Sequence, residues 1–428
     1  MTGPRRIAVG RLAALVVLVL AVAVTATLLI TRATDGSGAG GRAGEGKGGT
    51  ADGRPSQASS NGATTGPTAA PAGGTPYAYT TEQELVLVRG DRPPTRVPRV
   101  FDLADPHRNK VVWTHDGHRV AFFSDDELLD RRDDTRLITV DARTGEVRRL
   151  PCPGCHDLAP VGDHDVMVLS YEPGPTSAFR IDLDRPTAPR TELDNGSYWQ
   201  PQLLGATPTH VLTGQYEMSG GDPGMELRLN DLDTAGITVY PRFDSNAYMP
   251  AALAAVGGGE RIAVAARHNP GGCTAPFPIH VLGPKGEVGG SDQSAALPPG
   301  YIDGVTGGID VSDLWWGPDR HLYATISAWT CDKSQDSRDG KKRPHRPATL
   351  FRLDGDRWVS AGDQPATVVR PLDHEIRMVL VLPDCNGPVE RTDGITYCNT
   401  GSLYREEAGK RTKVAENVLS LSAPATAS

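Results

Sequence analysis

From Tyr77 onward the chain is built of short runs rich in Val, Ile, Leu, Phe and Tyr, cut at close intervals by Gly, Pro, Asp and Asn. No run carries a long helical period. Short apolar runs bounded by turn residues are the pattern of successive antiparallel strands. Two kinds of strand pair recur. The first is Val111 to Ser124, VVWTHDGHRVAFFS, where Asp116-Gly117 between two apolar runs supplies the positive φ that a tight hairpin needs. Leu314 to Ile326, LWWGPDRHLYATI, has the same shape with Gly317-Pro318-Asp319 in the turn, and looser versions run over Ala159 to Leu169, Leu203 to Leu212 and Ala251 to Val264. The second kind is a strand, a short polar turn and another strand: Leu137 to Val147, Phe179 to Leu183, Leu227 to Val239, Ile279 to Val288, Leu350 to Val359 and Leu403 to Val414. The two kinds alternate.

Composition agrees with this reading. Aromatics make up only 6% of the 428 residues, while 49 Gly and 35 Pro favour turns and linkers over long helices, which argues against a coiled coil or helical bundle. The net charge is −8, and Arg5, Arg6, Arg11 and Arg32 all lie around the first apolar run, so the remainder is more acidic than the total. Nucleic acid is excluded as a partner on that ground.

A repeat of roughly 40 to 70 residues fits four-stranded units of about 40 to 50 residues with insertions in their loops. The largest gap contains the polar stretch Asp332 to Arg346, which reads as one such inserted loop. Its basic run, Lys341, Lys342, Arg343 and Arg346, reads as solvated charge, with contact to an acidic wall polymer or lipid headgroup as the alternative.

WTHDGHRVAFFS and WWGPDRHLYATI resemble the Trp-x-x-Asp-Gly-x-x-Ile-Ala-Phe hairpin of the TolB-like and WD-repeat-like β-propeller family, and LFRLDGDRWV resembles the strand pair that follows it. The resemblance implies an all-β fold over residues 77–428, a closed ring of six or seven blades, each a four-stranded antiparallel sheet, with binding loops on the two ring faces. It implies no partner, because this fold hosts enzymes, scaffolds and sensors alike. Ring closure is expected to use Leu85 to Val88, which precedes the first hairpin, paired into a blade that holds Met378 to Leu382 and Leu403 to Arg405.

Leu12 to Ile30, LAALVVLVLAVAVTATLLI, is an uncharged apolar stretch of about 20 residues, enough to cross a bilayer as one helix. Three arginines precede it and only Arg32 follows closely, so residues 1–11 are expected in the cytoplasm, 12–31 as a transmembrane signal anchor, and the rest outside. The competing reading, a cleaved signal peptide, has a shorter apolar core, and Ala21-Val22-Ala23 lies inside the run rather than after it. Residues 32–76 are Gly, Ser, Thr, Ala and Pro with scattered charges and read as a disordered tether.

All six cysteines, Cys152, Cys155, Cys273, Cys331, Cys385 and Cys398, fall on the expected outer side, where disulfides are the default. Proximity suggests Cys152 with Cys155 and Cys385 with Cys398, leaving Cys273 with Cys331, although six cysteines allow many connectivities. Cys152-Pro153-Gly154-Cys155-His156 is also formally a haem-attachment motif or a redox dithiol, but it sits in a loop between strand pairs, where a structural disulfide fits better.

No G-x-S-x-G elbow and no H-E-x-x-H occurs, and no cofactor or metal ligand set is visible. The acidic stretch from Asp125 to Asp134 lacks the spacing of a Ca²⁺ loop and reads as a solvated connection. Adjacent Trp315 and Trp316 point to opposite faces of a strand, so one is expected in the core and the other exposed beside Asp310 and Asp313, where it could stack on a sugar or anchor a peptide. The function expected is that of a membrane-tethered extracytoplasmic propeller binding a protein or cell-envelope component. The alternative is a catalytic propeller, of lactonase or glycan-cleaving type, with its site at the central channel.

Overall fold

A computed structural model describes residues 74–99, 110–125, 135–170, 177–186, 191–193, 201–217, 224–243, 251–256, 259–266, 278–283, 287–298, 300, 307–331, 342–382 and 400–425. The expected anchor and nearly all of the tether lie outside these residues, as do Cys273, Cys385, Cys398 and residues 126–134 of the acidic stretch.

The described strands form seven four-stranded antiparallel sheets. The first three strands are β1 (Tyr77–Thr80), β2 (Glu84–Arg89) and β3 (Arg92–Pro98). The second blade is β4 (Val111–Trp113), β5 (Arg119–Asp125), β6 (Thr135–Asp141) and β7 (Val147–Pro151). The third is β8 (Cys155–Val161), β9 (Asp165–Ser170), β10 (Ser177–Asp182) and β11 (Thr191–Leu193). The fourth is β12 (Gln202–Ala206), β13 (His210–Glu217), β14 (Gly224–Asp231) and β15 (Ile237–Val239). The fifth is β16 (Ala251–Val256), β17 (Gly259–Ala265), β18 (Ile279–Leu282) and β19 (Val288–Gly289). The sixth is β20 (Gly307–Trp316), β21 (Leu322–Cys331), β22 (Lys342–Asp354) and β23 (Arg357–Gly362). The seventh is β24 (Val368–Pro371), β25 (Ile376–Val381), β26 (Gly401–Glu407) and β27 (Lys410–Val418), after which comes β28 (Ser420–Ser422).

In blades two to seven the first strand is innermost, and each inner strand packs on the next one round the axis. The ring closes because β28 is the inner strand of the first blade, in the order β28-β1-β2-β3. Thr80, Tyr79 and Ala78 pair with Ser420, Leu421 and Ser422, and the Thr80 and Ser420 hydroxyls meet at 2.6 Å. This makes a closed propeller of seven four-stranded blades. Closure thus joins the two ends of the chain, as the sequence suggests, but by a different strand. Leu85 to Val88 belongs to β2 and is paired on both sides by β1 and β3, while β25 and β26 complete the seventh blade with β24 and β27. The short β28 is the one that crosses the seam.

Seven apolar clusters hold the ring, one between each pair of neighbouring blades. Each draws on one face of two adjacent sheets, as the period of two requires. Between the second and third blades, for example, Phe123 and Leu137 meet Leu158, Val168 and Phe179, all at most 4% exposed. Cys152 and Cys155 form a disulfide inside this cluster, 0% and 1% exposed. Both thiols are therefore committed to a buried staple at the turn from β7 to β8, which leaves neither the haem-attachment nor the dithiol reading a free, accessible sulfur. Cys331 is also disulfide-bonded, to a partner outside the described residues.

The polar stretch Asp332 to Arg346 is shorter as a loop than expected. β22 begins at Lys342, so Lys342, Arg343 and Arg346 lie on a strand paired with β21. The Arg346 guanidinium lies over the Phe351 ring at 4.8 Å and donates to the Ala296 carbonyl at 2.7 Å, which explains how a charge here is held against an apolar surface.

Candidate functional site

The turns that join each inner strand to its neighbour lie on one face of the ring, and side chains capping their own backbones shape them. Asp116 accepts the His118 N–H and the Thr114 hydroxyl, and Asp319 accepts the His321 N–H. Aspartate is favoured here because its carboxylate reaches the N–H two residues on. Successive turns also bond to one another. Asp116 N–H donates to the Asp163 carbonyl and Gly162 N–H to the Pro208 carbonyl, and Thr207 Oγ1 donates to Glu260 Oε1 at 2.9 Å. A rim of turn-to-turn hydrogen bonds therefore runs from the second blade to the fifth.

At the next step, between the fifth and sixth blades, the described residues line an open cavity of about 450 Å³. Glu260 and Arg261 reach it from β17, Trp316 from the end of β20, and Arg320 and His321 from the turn that follows. Glu260 is only 8% exposed. Its Oε1 takes the Thr207 hydroxyl and lies 2.9 Å from His210 Nδ1, whereas its Oε2 is buried with no hydrogen-bond partner. The indole N–H of Trp316 is likewise buried and unpartnered, and the Arg261 guanidinium lies 5.7 Å from the indole centroid. Neither atom is reached by solvent, so the cavity presents the exposed Arg261 and Arg320 guanidiniums and the indole ring rather than these two polar atoms.

The far wall is held in place from below. Asp319 Oδ2 accepts the Tyr323 hydroxyl at 2.7 Å, and Tyr323 stacks on Trp315 with centroids 5.6 Å apart. Burial, that hydrogen bond and the Asp319 charge push the Tyr323 phenol up to about 12, so it stays a donor. His321 Nδ1 faces the Leu353 carbonyl at 3.2 Å. A nitrogen facing a carbonyl carries the proton, which leaves Nε2 as the acceptor in the neutral ring. Arg320 takes the left-handed backbone region (φ 66°), and its side chain is exposed at the rim.

The residues singled out in the sequence are thus dispersed. Trp316 lines the cavity, and Trp315 turns the other way, onto the apolar cluster of the seventh blade. Asp310 is half-buried on β20. Asp313 is buried, 9% exposed, and faces away from solvent. Its carboxylate accepts the N–H groups of Leu314 and Val369 and is clamped by both terminal nitrogens of Arg370. It fastens the sixth blade to the seventh, so its surroundings are those of a structural clasp.

Glu260, Arg261, Arg320 and His321 are not singled out by the sequence reading. A signal for them exists, because Ala251 to Val264 and Leu314 to Ile326 are segments of the same kind, and turns of the same kind share a ring face. Their adjacency needs the blade order, which the sequence reading leaves open between six and seven.

Elsewhere on this face Asp116 Oδ2 lies 2.8 Å from His118 Nδ1 and 2.7 Å from His164 Nδ1. Burial pushes the Asp116 carboxyl up, but the Thr114 hydroxyl, the His118 N–H and the two imidazoles outweigh it and hold the group below the usual range. Among the described residues no three His, Cys, Asp or Glu side chains are arranged to hold a metal ion.

No family model matches the chain, and no curated protein matches it. Solved structures do. One is the β-propeller domain of the Trilobed protease from Pyrococcus furiosus, 9% identical with a TM-score of 0.45, covering 78% of this chain and 86% of that one. Another is the tricorn protease, 11% identical with a TM-score of 0.43, covering 81% of this chain and 34% of that one. A third is the acylaminoacyl peptidase of Pyrococcus horikoshii, 10% identical with a TM-score of 0.42, covering 78% of this chain and 47% of that one. The chain spans about a third and about half of the length of the last two. At these identities the likeness is one of fold, and the propeller assignment rests on the strand pairing of this chain itself.

Proposed function

We propose that this chain is a membrane-tethered extracytoplasmic β-propeller of TolB-like type, with residues 12–31 as its anchor and residues 32–76 as its tether, and that it binds a protein or cell-envelope component. The observation that supports a binding role is the cavity between the fifth and sixth blades, where Trp316 lines a concave surface beside the exposed Arg261 and Arg320. A concave site with an aromatic wall and a few convergent polar groups is the usual form of a recognition site. Nothing comparable supports the catalytic alternative.

In-cell photocrosslinking tests the reading. A photoreactive side chain at Arg320, on the cavity rim, is expected to give discrete crosslinked species in intact cells, and one at Lys413, on the outermost strand of the seventh blade, is expected to give none. Equal, diffuse labelling from both positions would remove the case for a binding face here. The tether is checked on the same cells: the protein is expected to stay in the membrane fraction after a high-salt wash and to keep Met1 at or near its N-terminus.

A further inference from the structure

We infer that Arg261 and Arg320 hold a phosphate group in the cavity between the fifth and sixth blades, as a phosphodiester or as free phosphate. The inference rests on the binding reading above and gives that same site a ligand class.

The turn that carries Arg320 has a counterpart in the second blade, residue for residue. Trp113, Asp116, Gly117 and His118 stand there where Trp316, Asp319, Arg320 and His321 stand here. In both turns the aspartate accepts the N–H two residues on, and the next residue donates back across the turn, Gly117 to the Thr114 carbonyl and Arg320 to the Gly317 carbonyl. That residue takes the left-handed backbone region in each, with φ 68° at Gly117 and 66° at Arg320. Glycine adopts this region freely, whereas a side chain there crowds its own backbone. Arg320 therefore carries a conformational cost that the sibling turn avoids. Its side chain is exposed, and among the described residues it has no hydrogen-bond or ion-pair partner. A merely solvated charge could sit at any exposed position without that cost, so the strain points to a use outside the turn.

Arg261 enters the same cavity from β17. It lies over the Trp316 ring, 5.7 Å from the centroid, and it too has no carboxylate partner among the described residues. Stacking occupies the flat face of a guanidinium and leaves the N–H groups round its edge to bond a ligand. The carboxylates next to the two arginines in the chain are committed elsewhere. Glu260 turns to Thr207 and His210 of the fourth blade, and Asp319 to the Tyr323 hydroxyl and the His321 N–H. By contrast Arg370, Arg377 and Arg411 of the seventh blade each grip an acid. In a chain of net charge −8, two cations left uncompensated in one cavity mark a place for an anion.

The two guanidiniums come from different blades, so the anion must offer acceptors on more than one side. A carboxylate presents two oxygens along one edge, which a single arginine fork fills. The oxygens of a phosphate point apart in a tetrahedron and can be shared between two forks.

The test is calorimetric titration of the full-length protein, in micelles of a phosphate-free detergent, with glycerophosphoglycerol, inorganic phosphate and glucuronate. Both phosphates are expected to bind about tenfold or more tighter than glucuronate. Arg320→Gly and Arg261→Gln are each expected to weaken phosphate binding about tenfold. Arg320→Gly is also expected to melt no lower than the wild type, because glycine suits the backbone there. Repeating the titration in phosphatidylglycerol nanodiscs distinguishes the sources. Loss of the signal there means that a lipid headgroup already fills the site, and an unchanged signal means a soluble or polymeric phosphate; both support the phosphate site. Equal affinity for glucuronate would overturn the ligand class. Wild-type affinity in both arginine variants, or a lower unfolding temperature in Arg320→Gly, would overturn the site. Absence of phosphate binding in micelles while the Arg320 crosslinks persist in cells overturns this inference alone, whereas absence of both overturns the binding reading beneath it.

Discussion

Asp157 and Asp313 do the same work three blades apart. Each follows a β-bulge in an inner strand, at Cys155/Asp157 in β8 and at Val311/Asp313 in β20. A bulge re-aims the side chain that follows it. Each carboxylate then accepts the N–H of its own next residue and the N–H of an inner-strand residue in the next blade, Leu203 or Val369. Each is neutralised by a cation from a neighbouring blade, Lys110 or Arg370. Removing one partner of a buried charge pair leaves the other uncompensated, which costs about 3 kcal/mol or more. Asp313→Ala is therefore expected to lower stability in urea by about 3 kcal/mol, against about 0.5 kcal/mol or less for Asp310→Ala on the same strand. Equal, small losses would show that the clasp is incidental. The sequence places Asp313 beside two tryptophans but is silent on the bulge, and the bulge decides whether that carboxylate meets solvent or the next blade.

At the scale of elements, what is legible in the sequence follows from turn chemistry. The strand pairs around Asp116-Gly117, Asp319 and the polar turns near Thr144 and Gly355 are real hairpins because those residues cap or invert the chain locally. The inner hairpin Val368 to Val381 is not picked out by the sequence reading, since its turn, Leu372 to Glu375, carries neither Gly nor Pro and is held by Asp373 accepting the N–H groups of Glu375 and Ile376. The Cys152–Cys155 bridge is legible for the opposite reason, being wholly local. It closes so small a loop that its entropic contribution is only about 2 kcal/mol. The double variant Cys152→Ala/Cys155→Ala should fold to the same propeller and lose about that much in a urea titration. Failure to fold would mean that the bridge directs assembly of the second and third blades.

For the whole molecule, the blade count depends on the seam. Six strand pairs of the second kind can be counted along the sequence, and the remaining blade of the ring is completed only when β28 is joined to β1, strands far apart in the chain whose pairing no local pattern encodes. Both ends of the seam are buried, with Tyr79 3% and Leu421 5% exposed in the cluster shared by the first and seventh blades. Truncation after Leu419 is therefore expected to lower the unfolding temperature of the entire ring and to open its first blade to proteolysis. Deletion of residues 33–73 should leave the unfolding temperature unchanged. A truncated chain that melts like the intact one would show that the ring does not depend on its seam.

The same seam sets a clock during synthesis. The Thr80–Ser420 contact spans 340 residues, so the inner edge of the first blade has no mate until Ser420 to Ser422 have been made. At about 5–20 residues per second, that edge stays bare for roughly 20–70 s in every newborn molecule. A bare edge is a template for any other extended chain, including a second nascent copy. By closing its ring with a three-residue strand, this fold moves its aggregation hazard from the finished protein, which shows no open inner edge at the seam, to the interval between synthesis of the first blade and synthesis of β28.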